Sequence, residues 1–117
     1  MRGFGELEAV VMDRLWSWNR PTLVREVVED LQRHRQVAYT TVMTVMDNLH
    51  RKGALTRQMD GRAYRYQPAY TREQHVAAVL GQVLDIAADR SAALMGFVET
   101  MNAAEVAALR EALRRRS

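Results

Sequence analysis

Apolar side chains recur at three- and four-residue intervals through most of the chain, and this helical pattern gives way to short strand-like runs only between Leu55 and Gln67. Leu7, Val10, Val11, Leu15 and Trp18 predict an amphipathic helix from Glu6 to Trp18, with the acids of its first turn at the favourable end of the helix dipole. Asn19-Arg20-Pro21 interrupts it. Thr22 is placed to cap a second helix running to about Arg33, whose buried face is Leu23, Val24, Val27, Val28 and Leu31. A third helix is predicted from Tyr39 to Lys52. Val42, Val45, Met46 and Leu49 fall on one side of it, and Thr40, Thr41, Thr44 and Asn48 on the other, in a stripe without an acid. Gly53 supplies the left-handed stop past its end, and Arg51 and Lys52 suit the negative end of its dipole. Leu55 to Met59 then reads as a strand, Asp60-Gly61 as a tight turn and Ala63 to Gln67 as the returning strand before Pro68. Three helices followed by a hairpin describe a winged helix-turn-helix.

Beyond the hairpin the pattern is helical again. Thr71-Arg72-Glu73-Gln74 has the form of a capping box, and Val76, Val79, Leu80, Val83, Leu84, Ile86 and Ala87 extend an apolar stripe to about Arg90. Leu94, Phe97, Val98 and Met101 follow Ser91. A second capping box, Asn102 to Glu105, leads into Val106, Leu109 and Leu113, with Arg114, Arg115 and Arg116 at the helix end. The expected fold class is mainly α with a small β-hairpin wing: a winged helix-turn-helix DNA-binding domain over residues 1–70 and a three-helix dimerisation domain over 71–117. A helical segment of 47 residues is near the size at which a chain alone cannot bury enough apolar area. A second copy is the expected partner, through Val76, Leu80, Val83, Leu84, Leu94, Phe97, Val98, Leu109 and Leu113. The alternative is that these helices fold back on the winged domain.

Charge sharpens the picture. The chain has 117 residues and a formal net charge of +3, and residues 1–70 carry all of that excess, with 11 Lys and Arg against 8 acids. Between Asn48 and Tyr66, Arg51, Lys52, Arg57, Arg62 and Arg65 face Asp60 alone. Phosphate neutralisation is the natural use of such a cluster beside a Thr-rich helix face, whose short polar groups reach base edges without flexible stems. Each feature by itself also fits a solvated surface; it is their adjacency that favours DNA. A protein-interaction module, with the winged helix as scaffold and the Thr stripe against a protein surface, is the alternative function.

The chain has no cysteine, which excludes disulfides, thiolate metal sites and cysteine nucleophiles. The amino-terminal residues lack the apolar core of a secretory signal and no apolar run approaches the ~20 residues of a membrane span, so a soluble cytoplasmic protein without membrane insertion is expected. His34, His50 and His75 lack metal-ligand spacing and read as surface residues, while Gly3-Phe4-Gly5 is too short for a phosphate loop. Trp16 and Trp18 read as packing residues, and the seven methionines as core fillers. No catalytic constellation is present, and no enzyme activity, metal or cofactor is expected.

The segments GELEAVVMDRLW, TLVREVVEDL, AYTTVMTVMDNLHRKGALTR and GRAYRYQP follow one another in the order and spacing of the BlaI/MecI family of penicillinase repressors, which this chain resembles over nearly its whole length. The resemblance implies a homodimeric winged-helix repressor that binds inverted-repeat DNA operators and blocks transcription of β-lactam resistance or related stress genes. Carried over by position, Thr40, Thr41, Met43, Thr44 and Asn48 lie where the family's recognition helix meets the major groove; Tyr39, at the head of that helix, joins them, and Arg57, Arg62 and Arg65 lie on the wing. In members that respond to β-lactams, a membrane sensor triggers cleavage between an Asn and a Phe in the dimerisation region. Here Gly96 and Phe97 occupy that position, so the Asn is missing from the possible cleavage site. The cysteine-rich tail of copper-responsive relatives has no counterpart.

Overall fold

A computed structural model describes residues 4–116; Gly3, and with it part of the Gly3-Phe4-Gly5 segment, lies outside the described residues. The chain divides into two compact units, Met1–Val79 and Leu80–Ser117. In the first, α1 (Glu6–Trp18), β1 (Thr22–Leu23), α2 (Val24–Gln32), α3 (Tyr39–Arg51), β2 (Leu55–Asp60) and β3 (Ala63–Pro68) follow in order, and α4 (Arg72–Leu84) begins. The second completes α4 and adds α5 (Arg90–Val98) and α6 (Ala103–Arg116). The mainly helical winged-helix class read from the sequence is the fold observed.

Val11, Met12 and Leu15 of α1, Val24, Val27, Val28 and Leu31 of α2, and Val42, Met46 and Leu49 of α3 meet in one core, closed beneath by Ala54, Leu55 and Tyr66. Each large aliphatic side chain so buried contributes roughly 1.5–3 kcal/mol. Asn19 ends α1 in the left-handed conformation at φ 50°, its N–H donating to the Leu15 carbonyl at 3.0 Å. Gly53, at φ 84°, turns the chain out of α3 into β2, as expected.

The sheet has three strands in the order β1-β3-β2, all antiparallel. The third strand corrects the role expected of Thr22, which does not cap α2 but pairs with Tyr66. Thr22 is fully buried, and its hydroxyl donates to the Arg20 carbonyl at 2.8 Å. Leu23 caps α2 instead, and its N–H donates to Glu26 Oε1 at 2.8 Å. Asp60 pairs with Ala63, so the two-residue turn is Gly61-Arg62 and not Asp60-Gly61. Gly61, at φ 65°, takes the first central position, where a type II′ hairpin turn requires glycine.

His75 departs from the surface position expected of it. Its ring stacks on Phe4 at 4.3 Å with 6° between planes and lies 5.5 Å from Trp16 and 6.1 Å from Tyr70, leaving Nδ1 buried without a hydrogen-bond partner among the described residues. Trp16 packs as predicted, with Nε1 donating to the Tyr70 carbonyl at 2.9 Å.

Both capping boxes of the later helices form. Thr71 N–H donates to Gln74 Oε1 at 2.8 Å and Gln74 N–H to Thr71 Oγ1 at 3.0 Å; Asn102 and Glu105 exchange the same pair at 3.0 and 2.9 Å. The expected long helix is shorter than its apolar stripe: α4 stops at Leu84, leaving Ile86 83 % exposed outside it. Asp89 then caps α5, its Oδ1 accepting from the Ala92 N–H at 3.0 Å. No described residue of α4, α5 or α6 is buried. No helix among the described residues is long and apolar enough to cross a membrane.

Candidate nucleic-acid interface

Helix α3 owes its position to its apolar side. With Val42, Met46 and Leu49 in the core, the opposite side turns outward, and Tyr39, Thr40, Thr41, Met43 and Thr44 are all exposed. Asn48 is half-buried and its Oδ1 accepts a hydrogen bond from the Arg51 guanidinium. Asp47 borders this stripe, but its carboxylate is compensated by Arg51 at 3.3 Å and Arg57 at 3.2 Å. The outward face therefore presents hydroxyl and apolar groups with no uncompensated acid.

The hairpin beside it sorts its side chains by the two-residue period of a strand. Leu55, Arg57 and Met59 of β2 lie opposite Pro68, Tyr66 and Tyr64 of β3, so one face runs from the buried Leu55 and Tyr66 to the exposed Met59 and Tyr64.

The three arginines assigned to the wing are not equivalent. Arg57 is engaged within the protein: Nη1 reaches Asp47 Oδ1 at 3.2 Å and Tyr66 Oη at 3.4 Å, and its guanidinium lies 4.1 Å from the Tyr64 ring centroid. The Tyr66 hydrogen bond, against some desolvation, raises its pKa further. Arg65 likewise pairs with Asp60 at 2.6 Å and Glu26 at 3.6 Å, and the hydrogen bond to Asp60 raises its pKa. Arg62, in the turn, is exposed. Neither Arg62 nor Arg25 of α2 forms an ion pair with an acid among the described residues.

Sequence reasoning missed Arg25 and Tyr64, which line one groove with Tyr39, Met43 and Arg62. The alternation of β3 was the available signal for Tyr64, since it shares a face with Tyr66. Arg25 carried none, because its place beside the hairpin follows from the pairing of β1 with β3.

Lys52 fastens the end of α3 to α1 through Glu8, at 2.7 and 2.9 Å to its two oxygens. Of the residues assigned to dimerisation, Val76, Leu80, Val83, Leu94, Phe97, Val98 and Leu113 are exposed, and Leu84 and Leu109 are half-buried. Gly96 and Phe97 lie within helix α5. No group of three or more His, Cys, Asp or Glu able to hold a metal occurs among the described residues.

The model of a family described as "Penicillinase repressor" matches residues 4–115. Two proteins called transcriptional regulator BlaI, from Mycobacterium tuberculosis strains CDC 1551 / Oshkosh and ATCC 25618 / H37Rv, are each 46 % identical over 112 residues, covering 93 % of this chain and 81 % of theirs. Among solved structures, the monomeric form of Bacillus licheniformis BlaI in complex with the blaP half-operator aligns with a TM-score of 0.52 and 25 % identity, over 62 % of this chain and 87 % of that one. A MarR family protein from Bacillus stearothermophilus aligns with a TM-score of 0.53 at 18 % identity, over 97 % of this chain and 73 % of that one, and shares the fold.

Proposed function

Because the chain belongs to the penicillinase repressor family, we propose that it works as a homodimer on an inverted-repeat operator, reading bases with α3 and holding phosphates with the wing. The family is one of transcriptional repressors and not of enzymes, and this chain is a DNA-binding transcriptional repressor. The observation that carries the mode of reading is the outward face of α3, exposed at Tyr39, Thr40, Thr41, Met43 and Thr44, beside an arginine-bearing hairpin.

The physical division of labour follows from reach and charge. Thr40, Thr41 and Thr44 offer short hydroxyls, and Asn48 an amide, to base edges in the major groove, where the donor and acceptor pattern differs for each base pair. Arg62, at the hairpin turn, has no acid partner among the described residues and takes a phosphate; Arg57 and Arg65, already paired, chiefly hold the hairpin against α3 and α2. The DNA-binding domain is residues 1–70 and the dimerisation domain residues 71–117, where Val76, Leu80, Val83, Leu84, Leu94, Phe97, Val98, Leu109 and Leu113 pack against a second copy. Support comes from α4, α5 and α6, which bury none of their described residues and leave Leu80 46 % and Phe97 50 % exposed.

The genes controlled are those of β-lactam resistance or a related stress response, and a sensor-linked signal releases the repressor. Cleavage between Gly96 and Phe97 would require α5 to open first, since the bond is helical. Ligand-induced release is the other route.

Selection of bound duplexes from a random-sequence pool with the purified full chain tests the reading. An enriched inverted repeat is expected. Recovery of no common sequence would favour an interaction module whose Thr face meets protein.

A further inference from the structure

The groove between the start of α3, the first turn of α2 and β3 has a volume of ≈ 340 Å³ and joins two kinds of group. Tyr39, Met43 and Tyr64 give it apolar walls, and are 48, 44 and 38 % exposed; Arg25 and Arg62 give it charge without acid partners among the described residues. No carboxylate among the described residues lines it. Tyr39 and Met43 are one helical turn apart, so they share the face of α3 that also carries Thr40 and Thr44. The Tyr64 ring is held in place, with the Arg57 guanidinium 4.1 Å from its centroid and Tyr66 edge-on at 6.3 Å.

Large apolar groups on a base-reading face need an apolar counterpart, because leaving them in water gains nothing for recognition. Among base edges of the major groove the apolar group is the 5-methyl of thymine, and phosphates flank every base along the strand. Apolar walls beside two uncompensated guanidinium groups are the complement of such a strand. An acidic or phosphate-bearing ligand suits this lining better than a basic peptide, because its two guanidinium groups have no lining carboxylate among the described residues beside them.

We propose that the groove is a thymine subsite, in which Met43, with Tyr39 and Tyr64, covers the 5-methyl group of one operator thymine while Arg25 and Arg62 hold phosphates of the same strand. The inference rests on the DNA reading proposed above and adds to it the base, the chemical group and the two residues Arg25 and Tyr64.

The test uses the full chain and a duplex recovered from the random pool, with a scrambled duplex as control. Each thymine is replaced singly by deoxyuridine, which deletes the methyl and leaves the hydrogen-bonding pattern intact. Wild type should bind about three- to fourfold more weakly at one thymine of each half-site, the value expected for one buried methyl. Met43→Leu should keep that penalty and Met43→Gln should abolish it, with all three proteins melting alike. Arg25→Ala should lower the slope of log K against log salt by about one. If wild type prefers the selected duplex yet tolerates deoxyuridine at every thymine, or if Met43→Gln retains the penalty, the subsite is wrong and DNA reading stands. Equal binding to selected and scrambled duplexes would overturn both.

Discussion

Two carboxylates join the elements of the winged domain, and both are held below their ordinary pKa. Burial would raise the Glu8 carboxyl, but the Lys52 ammonium and the Gly5 N–H outweigh it and hold the pKa below 4.5. At Glu26 the Leu23 N–H lowers it, against some desolvation, helped by Arg20 and Arg65. A folded pKa below the unfolded one means that the charged form stabilises the protein above the unfolded value and that this contribution is lost as pH falls through the folded one. Melting temperature should therefore drop as pH falls below about 4.5. Glu8→Gln, melted over the same series, should show a shallower acid limb; a limb as steep as wild type would mean that Glu8 contributes nothing to acid stability. Such partnerships were not legible in the sequence, because Glu8 and Lys52 stand 44 residues apart and meet only once α1 and α3 pack. The same holds for Arg57, which reads as one more basic wing residue until its strand register sets it against Tyr66 and its packing brings Asp47 alongside.

Elements whose signals are local form as their residues indicate. The stop after α3 is one: Gly53 has φ 84° with open space where a Cβ would stand, so its need for glycine is conformational and not steric. Gly53→Ala should cost about 1–2 kcal/mol in urea unfolding, the penalty of a left-handed residue bearing a Cβ, and a neutral substitution would mean that the turn relaxes freely. The capping boxes at Thr71 and Asn102 were equally legible, since each is closed by groups three residues apart. Elements set by distant partners have the opposite character. Strand β1 has two residues and exists through its pairing with Tyr66 and Arg65, more than 40 positions away. The apolar stripe of α4 runs on through Ile86 and Ala87 past the helix end at Leu84, whereas the cap at Asp89 starts α5 afresh. The α3 face was readable for a physical reason: its core side and its outward side differ in chemistry within one short helix.

At the scale of the molecule, a pair of chains would bring with it a pair of reading helices. Two copies related by a two-fold axis would present α3 twice, about one helical turn of DNA apart, which is why an inverted repeat is the expected operator. Sedimentation should show a dimer at micromolar concentration, and Leu80→Asp, at an exposed position, should shift it towards monomer and weaken operator binding without unfolding the winged domain. A wild-type monomer at that concentration would contradict the assembly. Whether α3 reads sequence while the turn of the wing supplies charge is decided by titrating wild type, Thr44→Ala and Arg62→Ala against the selected and scrambled duplexes across salt concentrations. Thr44→Ala should lose about 1–3 kcal/mol on the selected duplex alone, and Arg62→Ala should weaken both duplexes alike and lower the salt slope by about one. If Thr44→Ala weakened selected and scrambled duplexes equally, α3 would not be the element that distinguishes them.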